Sequence, residues 1–105
     1  MTDFFKIMQQ AQQMQGRLQQ MQTELQQLTV MGSAAGGMVT VEADGKGEVR
    51  RVRIDPSVVR SSDVDLLEDL VVAAIVDAQK KAAEAAKLEL TKLTGGMNLP
   101  FPLPV

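Results

Sequence analysis

The stretch Val39-Thr40-Val41-Glu42-Ala43-Asp44-Gly45-Lys46-Gly47-Glu48-Val49-Arg50-Arg51-Val52-Arg53-Ile54-Asp55-Pro56 reads as a β-hairpin and decides the fold. Val39, Val41 and Ala43 alternate with polar residues at the period of a half-buried strand. Asp44-Gly45 then supplies the positive φ that a tight hairpin turn needs. In the return strand the apolar residues are Val49, then Val52 and Ile54, so the alternation changes phase near residues 50–51, as a bulge or a break would make it. Pro56 has no N–H to give a ladder and ends it. Strands are therefore expected over about 38–43 and 48–55.

Upstream, residues 4–28 carry a heptad. Phe4, Ala11, Leu18 and Leu25 share one position, and Ile7, Met14, Met21 and Leu28 the position three residues later. That spacing predicts an amphipathic helix with a coiled-coil-like seam over about 3–30. Ten of the eleven glutamines lie between Gln9 and Gln27, so the outer face is polar but uncharged. Such a helix is roughly 40 Å long at 1.5 Å per residue, more than one small domain needs, and another copy of the chain is the simplest partner for the surplus. The methionines on or beside the seam, Met8, Met14 and Met21, read as packing residues. Gly32-Ser33-Ala34-Ala35-Gly36-Gly37 reads as a small-residue linker and hinge.

Downstream, Ser61, Ser62 and Asp63 offer N-caps, and Asp65 with Glu68 has capping-box spacing. A second helix is predicted over about 63–94, stopped by Gly95-Gly96. Its first half is apolar nearly all round, the mark of burial on more than one side, and again points to a subunit interface. Its second half, rich in Ala and charge, is expected in solvent. The segment 98–105, with Pro100, Pro102 and Pro104, is expected to be an extended, flexible tail after a single domain over 1–97.

Composition narrows the chemistry. The 105 residues are 45% hydrophobic and 23% charged, with three Phe and no Tyr, Trp, Cys or His. Disulfides, thiolate nucleophiles, soft metal sites and histidine-based catalysis are thereby excluded. Nothing combines a nucleophile with a base and an oxyanion hole, so the reading is of a non-enzyme without metal or cofactor. Gly45-Lys46-Gly47 lacks the other glycines and the strand–loop–helix setting of a phosphate loop, and Asp63-Val64-Asp65 is better explained by caps than by a divalent ion. The longest apolar run, Leu70–Val76, is far short of a bilayer span, and no signal segment opens the chain, so a soluble cytoplasmic protein is expected.

The formal net charge is −2, but it is unevenly distributed. Arg50, Arg51, Arg53 and Arg60 oppose only Asp55 in the second strand region, while residues 61–79 carry five acids and no base. Lys80, Lys81, Lys87 and Lys92 outnumber Glu84 and Glu89 in the last stretch of helix. Acid at the start of a helix and base at its end complement the macrodipole, which is the plain reading. The functional alternative is that the basic end touches phosphates.

Four stretches in order resemble the YbaB/EbfC family of bacterial nucleoid-associated proteins: Lys6–Leu28; Gly37 through Asp44-Gly45-Lys46-Gly47 to Pro56; Asp65–Ala78 with Leu66-Leu67-Glu68-Asp69-Leu70; and Thr94-Gly95-Gly96-Met97. The resemblance implies an α+β fold of order α-β-β-β-α, a small antiparallel sheet flanked by two long helices. It also implies a tweezer-like, intertwined homodimer that binds double-stranded DNA in the nucleoid and has no enzymatic activity. No binding residues carry over, so charge alone nominates Lys6, Arg17, Lys80, Lys81, Lys87 and Lys92 for DNA, with Arg50, Arg51 and Arg53 as the alternative surface. Apolar patterning nominates Leu18, Met21, Leu25, Val39, Val41, Val52, Ile54, Leu70, Val71, Ala74 and Ile75 for the dimer interface. A prefoldin-like scaffold or holdase acting on other proteins is the alternative function.

Overall fold

The computed structural model describes residues 2–93. The Pro-rich segment 98–105 and its expected flexibility lie outside the described residues. A helix α1 (Thr2–Gln27) leads into three strands, β1 (Val30–Ala34), β2 (Val39–Ala43) and β3 (Val49–Ile54), and a second helix, α2 (Val64–Leu93). The strands form one antiparallel sheet in the order β1-β2-β3. The fold is α+β, α-β-β-β-α.

The first helix stops at Gln27, short of the expected residue 30, because Val30 starts a strand. Gly32, Ser33 and Ala34, expected in a hinge, belong to that strand, and Gly36 (φ 65°) and Gly37 (φ 94°) make the turn into β2. The small residues of β1 answer to packing rather than to flexibility. Gly32 is buried so close to α2 that a Cβ there would lie 2.3 Å from the Ala74 carbonyl oxygen and 2.3 Å from the Ala78 nitrogen.

The phase change in β3 is a bulge. Ala43 pairs with Val49 whereas Glu42 pairs with Arg51, leaving Arg50 as the extra residue. Cross-strand partners share a face, so Val39, Val41 and Ala43 line up with Val30, Gly32 and Ala34 on one side and with Ile54, Val52 and Val49 on the other. Helix α2 lies over β1 and β2 on this face. Val39, Val41, Ala43, Ala74 and Ala78 form a core with no exposed surface. All six residues of β3 stay exposed.

Part of the expected dimer surface lies inside the chain's own fold. Val39, Val41, Ala74 and Leu25 are already buried by the chain's own helices and sheet, which leaves them no surface for a partner. The pattern of α2 resolves in a related way. Within one chain only the Ala74, Ala78 and Ala82 stripe is buried, and Leu66, Val72 and Val76 remain exposed. Its second half is not wholly in solvent either, since Ala82 is buried and Ala86 and Leu90 are half-buried.

Beyond the sheet the two helices run side by side. Leu18, Met21 and Leu25 of α1 face Ala82, Ala86 and Leu90 of α2 across a groove of about 540 Å³, in antiparallel order. The result is elongated, 72 × 24 × 17 Å, with a radius of gyration of 19.3 Å. A compact chain of this length has a radius near 13 Å. Gly16 lies on an open side of α1, and a Cβ there would meet nothing within 4 Å. Gly16→Ala should therefore raise helicity and add about 0.5–1 kcal/mol, measured by thermal and urea unfolding with circular dichroism as the probe.

Candidate nucleic-acid interface

Asp44 organises the hairpin end. It is the one buried charged side chain among the described residues, and its Oδ1 accepts the backbone N–H groups of Lys46 (2.9 Å) and Glu48 (3.0 Å). The Arg50 guanidinium lies 3.6 Å from its Oδ2 and also donates to the Gln26 carbonyl. The Gly45 N–H donates to the Leu25 carbonyl at 2.7 Å. The end of α1 is thus tied to the turn, and Arg50 is committed to that tie.

A second tie joins β1 to α2. The Asp77 carboxylate accepts the Ser33 N–H at 2.9 Å and pairs with Lys81 Nζ at 3.2 Å, and Lys81 also donates to the Met31 carbonyl at 3.0 Å. Lys92 pairs with Glu89 one turn back at 3.3 Å. Arg50, Lys81 and Lys92 therefore have roles inside the chain, and their charges are partly answered there.

Both carboxylates are held below the ordinary range, chiefly by donated backbone N–H groups: Glu48 for Asp44, Ser33 for Asp77. Asp55 is lowered likewise by the Ser57 N–H. A lowered folded-state pKa stabilises above the unfolded value of about 3.9, and that stabilisation is lost as pH falls through the folded one. The chain has no His or Cys, so no side chain titrates ordinarily between about pH 5 and 8. The melting temperature should be nearly flat from pH 8 to about 5.5 and fall below about pH 4. A step near neutrality in a pH series of melts would contradict this.

The remaining cations separate into distinct surfaces. Lys80 and Lys87 are exposed and form no ion pair among the described residues. Seven residues are two helical turns less about 20°, so both lie on one stripe about 10 Å apart, away from the buried Ala74, Ala78 and Ala82 stripe. Glu84 lies between them on that stripe. Arg51 and Arg53 are exposed on the opposite face of the sheet from α2, across β2 and β3 from Glu42 and Thr40. Arg17 lines a shallow depression with Glu24, Glu89 and Lys92, and Lys6 lies near the free end of α1. No single patch gathers all the nominated residues.

The expected interface residues divide as well. Val52 and Ile54 are exposed on the helix side of β3, and Leu70, Val71 and Ile75 are half-buried beside the core. Leu18 and Met21 line the groove between the helices. Asp77 and Lys81 of α2 reach β1, whereas Gln79 donates to the Gly47 carbonyl at the β3 side. The helical rotation then puts Val72 and Ile75 toward β3 as well. Val49 and Val72 join this surface without having been nominated by apolar patterning. The apolar character of α2 all round is the signal that points to Val72.

No helix among the described residues is long and apolar enough to cross a membrane. The fold is shared by an uncharacterized protein of Helicobacter pylori, with a TM-score of 0.77 at 23% identity, covering 88% of this chain and 97% of the other. A nucleoid-associated protein of Gemmatimonas aurantiaca is 51% identical over 102 residues, 97% of this chain and 98% of its own length. One of Paramagnetospirillum magneticum is 52% identical over 106 residues, covering 99% of both. Residues 1–97 match the YbaB/EbfC DNA-binding family. With that match spanning the helices, the sheet and the ties between them, the chain belongs to the YbaB/EbfC DNA-binding family.

Proposed function

We propose that the chain is a non-enzymatic, nucleoid-associated protein that binds double-stranded DNA as a homodimer, with little sequence specificity. The observation that carries the reading is the pair of exposed lysines, Lys80 and Lys87, on the solvent stripe of a helix that projects beyond the sheet. Lysines on a helix stripe suit phosphates, which lie on the outside of the duplex and carry no sequence information directly. An aromatic stacking platform for single strands has little support in a chain with three Phe and no Tyr or Trp. Nucleoid-associated relatives of the same family support the location as well as the ligand.

Dimerisation is supported by the uncovered half of the sheet face. Val49, Val52 and Ile54 are 37–39% exposed on the side that α2 covers over β1 and β2. Val72, 58% exposed, lies on the flank of α2 turned toward that side. A contiguous apolar patch of this kind marks a protein interface, and a second copy using the same patch closes it with two-fold symmetry. The two copies then present two lysine-bearing helices to one duplex.

Val52→Asp with Ile54→Asp puts two carboxylates into that patch. Light scattering should read the mass of a monomer for the variant and of a dimer for the parent. Duplex affinity should fall with it, because one arm replaces two. A variant that remains dimeric with a native melting curve would remove this face from the interface.

A further inference from the structure

The outer edge of β1 is finished by side chains rather than by a strand. The Asp55 N–H donates to the Met38 carbonyl at 2.8 Å, so Met38, Thr40 and Glu42 turn their backbone N–H and C=O groups toward β3. Val39, Val41 and Ala43 then turn theirs toward β1, where they meet Ala34, Gly32 and Val30. Met31 and Ser33 are left with their backbone groups pointing out of the sheet, along an edge that no strand covers among the described residues.

Such an edge is a template on which another chain can add a strand, and proteins blunt it with charge, proline, a bulge or a cover. Strand β3 carries a bulge and the charges of Arg50, Arg51 and Arg53. Strand β1, Val30-Met31-Gly32-Ser33-Ala34, has neither charge nor proline. Its cover comes from α2. Asp77 accepts the outward Ser33 N–H at 2.9 Å, Lys81 donates to the outward Met31 carbonyl at 3.0 Å, and the two side chains pair with each other at 3.2 Å. An acceptor thus meets the donor and a donor meets the acceptor, as a neighbouring strand would arrange. The spacings match as well: four helical residues rise about 6 Å, and alternate residues of a strand lie about 6.6 Å apart. Attachment of β1 to α2 does not depend on this pair, because Gly32 already lies against the backbone of Ala74 and Ala78.

We propose that Asp77 and Lys81 close the β1 edge to a second copy of this chain, whose own β1 would otherwise add to it as an antiparallel strand. A strand paired antiparallel with its own copy is self-complementary, so the uncovered edge needs no other partner. This inference is independent of DNA binding and of the apolar face of β3.

Asp77→Ala with Lys81→Ala removes both caps and leaves good helix formers in α2. In light scattering the mass of this variant should rise with concentration to about twice that of the parent or more, with the parent's circular dichroism spectrum. Adding Ser33→Pro takes away an outward N–H at an edge position that tolerates proline, and should return the mass to the parent's. A pair that only fastens β1 to α2 would lower the melting temperature and leave the mass alone, so a double variant of parental mass overturns the proposal. A raised mass that survives Ser33→Pro also overturns it, by placing the association elsewhere. Hydrogen exchange tests the cap in the parent itself. The Ser33 amide should exchange at least about tenfold more slowly than an unbonded amide, and exchange at the unbonded rate overturns the proposal.

Discussion

A methyl group at Gly32 should unseat α2 from the sheet. The added Cβ would lie 2.3 Å from the Ala74 oxygen and the Ala78 nitrogen and 2.7 Å from the Ala78 Cα. All three are backbone atoms, so no side-chain rotation relieves the clash; the helix must move. The core of Val39, Val41, Ala43, Ala74 and Ala78 depends on that close approach, since its helix residues are alanines with short reach. Overpacking costs about 1–3 kcal/mol or more, and rigid backbone neighbours place Gly32→Ala at the upper end. The expected loss of about 3 kcal/mol lowers the melting temperature of a domain this size by roughly 15 °C. Ala78→Gly should not rescue it, because the obstruction is main chain. A melting temperature within a few degrees of the parent would show that α2 does not lie against Gly32 in solution.

Reversing Lys80 and Lys87 to Glu should give the largest loss of DNA affinity with the fold intact. Both side chains are exposed and form no ion pair among the described residues, so the change breaks none; Lys80 does help to hold the Asp77 carboxylate below its ordinary range, and a small loss of melting temperature should accompany its reversal. A dimer has four such lysines. Each phosphate contact contributes about 0.9 to the slope of log affinity against log salt, so the slope should shrink by about 3 to 4 and low-salt affinity fall at least a hundredfold. Arg51→Glu with Arg53→Glu, on the other face of the sheet, should change affinity little. Lys81→Glu is a different case. It breaks the Asp77 pair that holds β1 to α2, so its effect should register in the melting temperature as well. If the arginine pair carries the larger binding loss, the sheet face is the DNA surface.

The hairpin and both helices are legible in the sequence because their signals are local. Alternating valines and a heptad seam each lie within a few residues of what they specify. The turn falls where it is expected, although Gly47 (φ 86°) and not Gly45 carries its positive φ, and Gly45 is there for its close approach to the Leu25 carbonyl. Strand β1 is hidden because Gly32 and Ser33 answer to partners far along the chain: the Ser33 N–H meets Asp77, and Gly32 meets Ala74 and Ala78. Without α2 in place, those small residues look like a linker. The same distance explains Arg50, whose carboxylate partner Asp44 is brought under it by the hairpin turn. Apolar patterning indicates that Val39, Val41 and Ala74 are buried, but a pattern does not distinguish the chain's own helix from a second copy. The candidate binding surface is legible only as charge, and which lysines are free has to be read from the fold.

Binding of double-stranded DNA by a homodimer is tested most directly by titrating a random-sequence duplex across a salt series while measuring the mass of the protein. The expected result is a dimer whose log affinity falls linearly with log salt, at a slope that does not change when the duplex sequence is changed. A monomer, or a dimer that leaves the duplex unbound even at low salt, would contradict it.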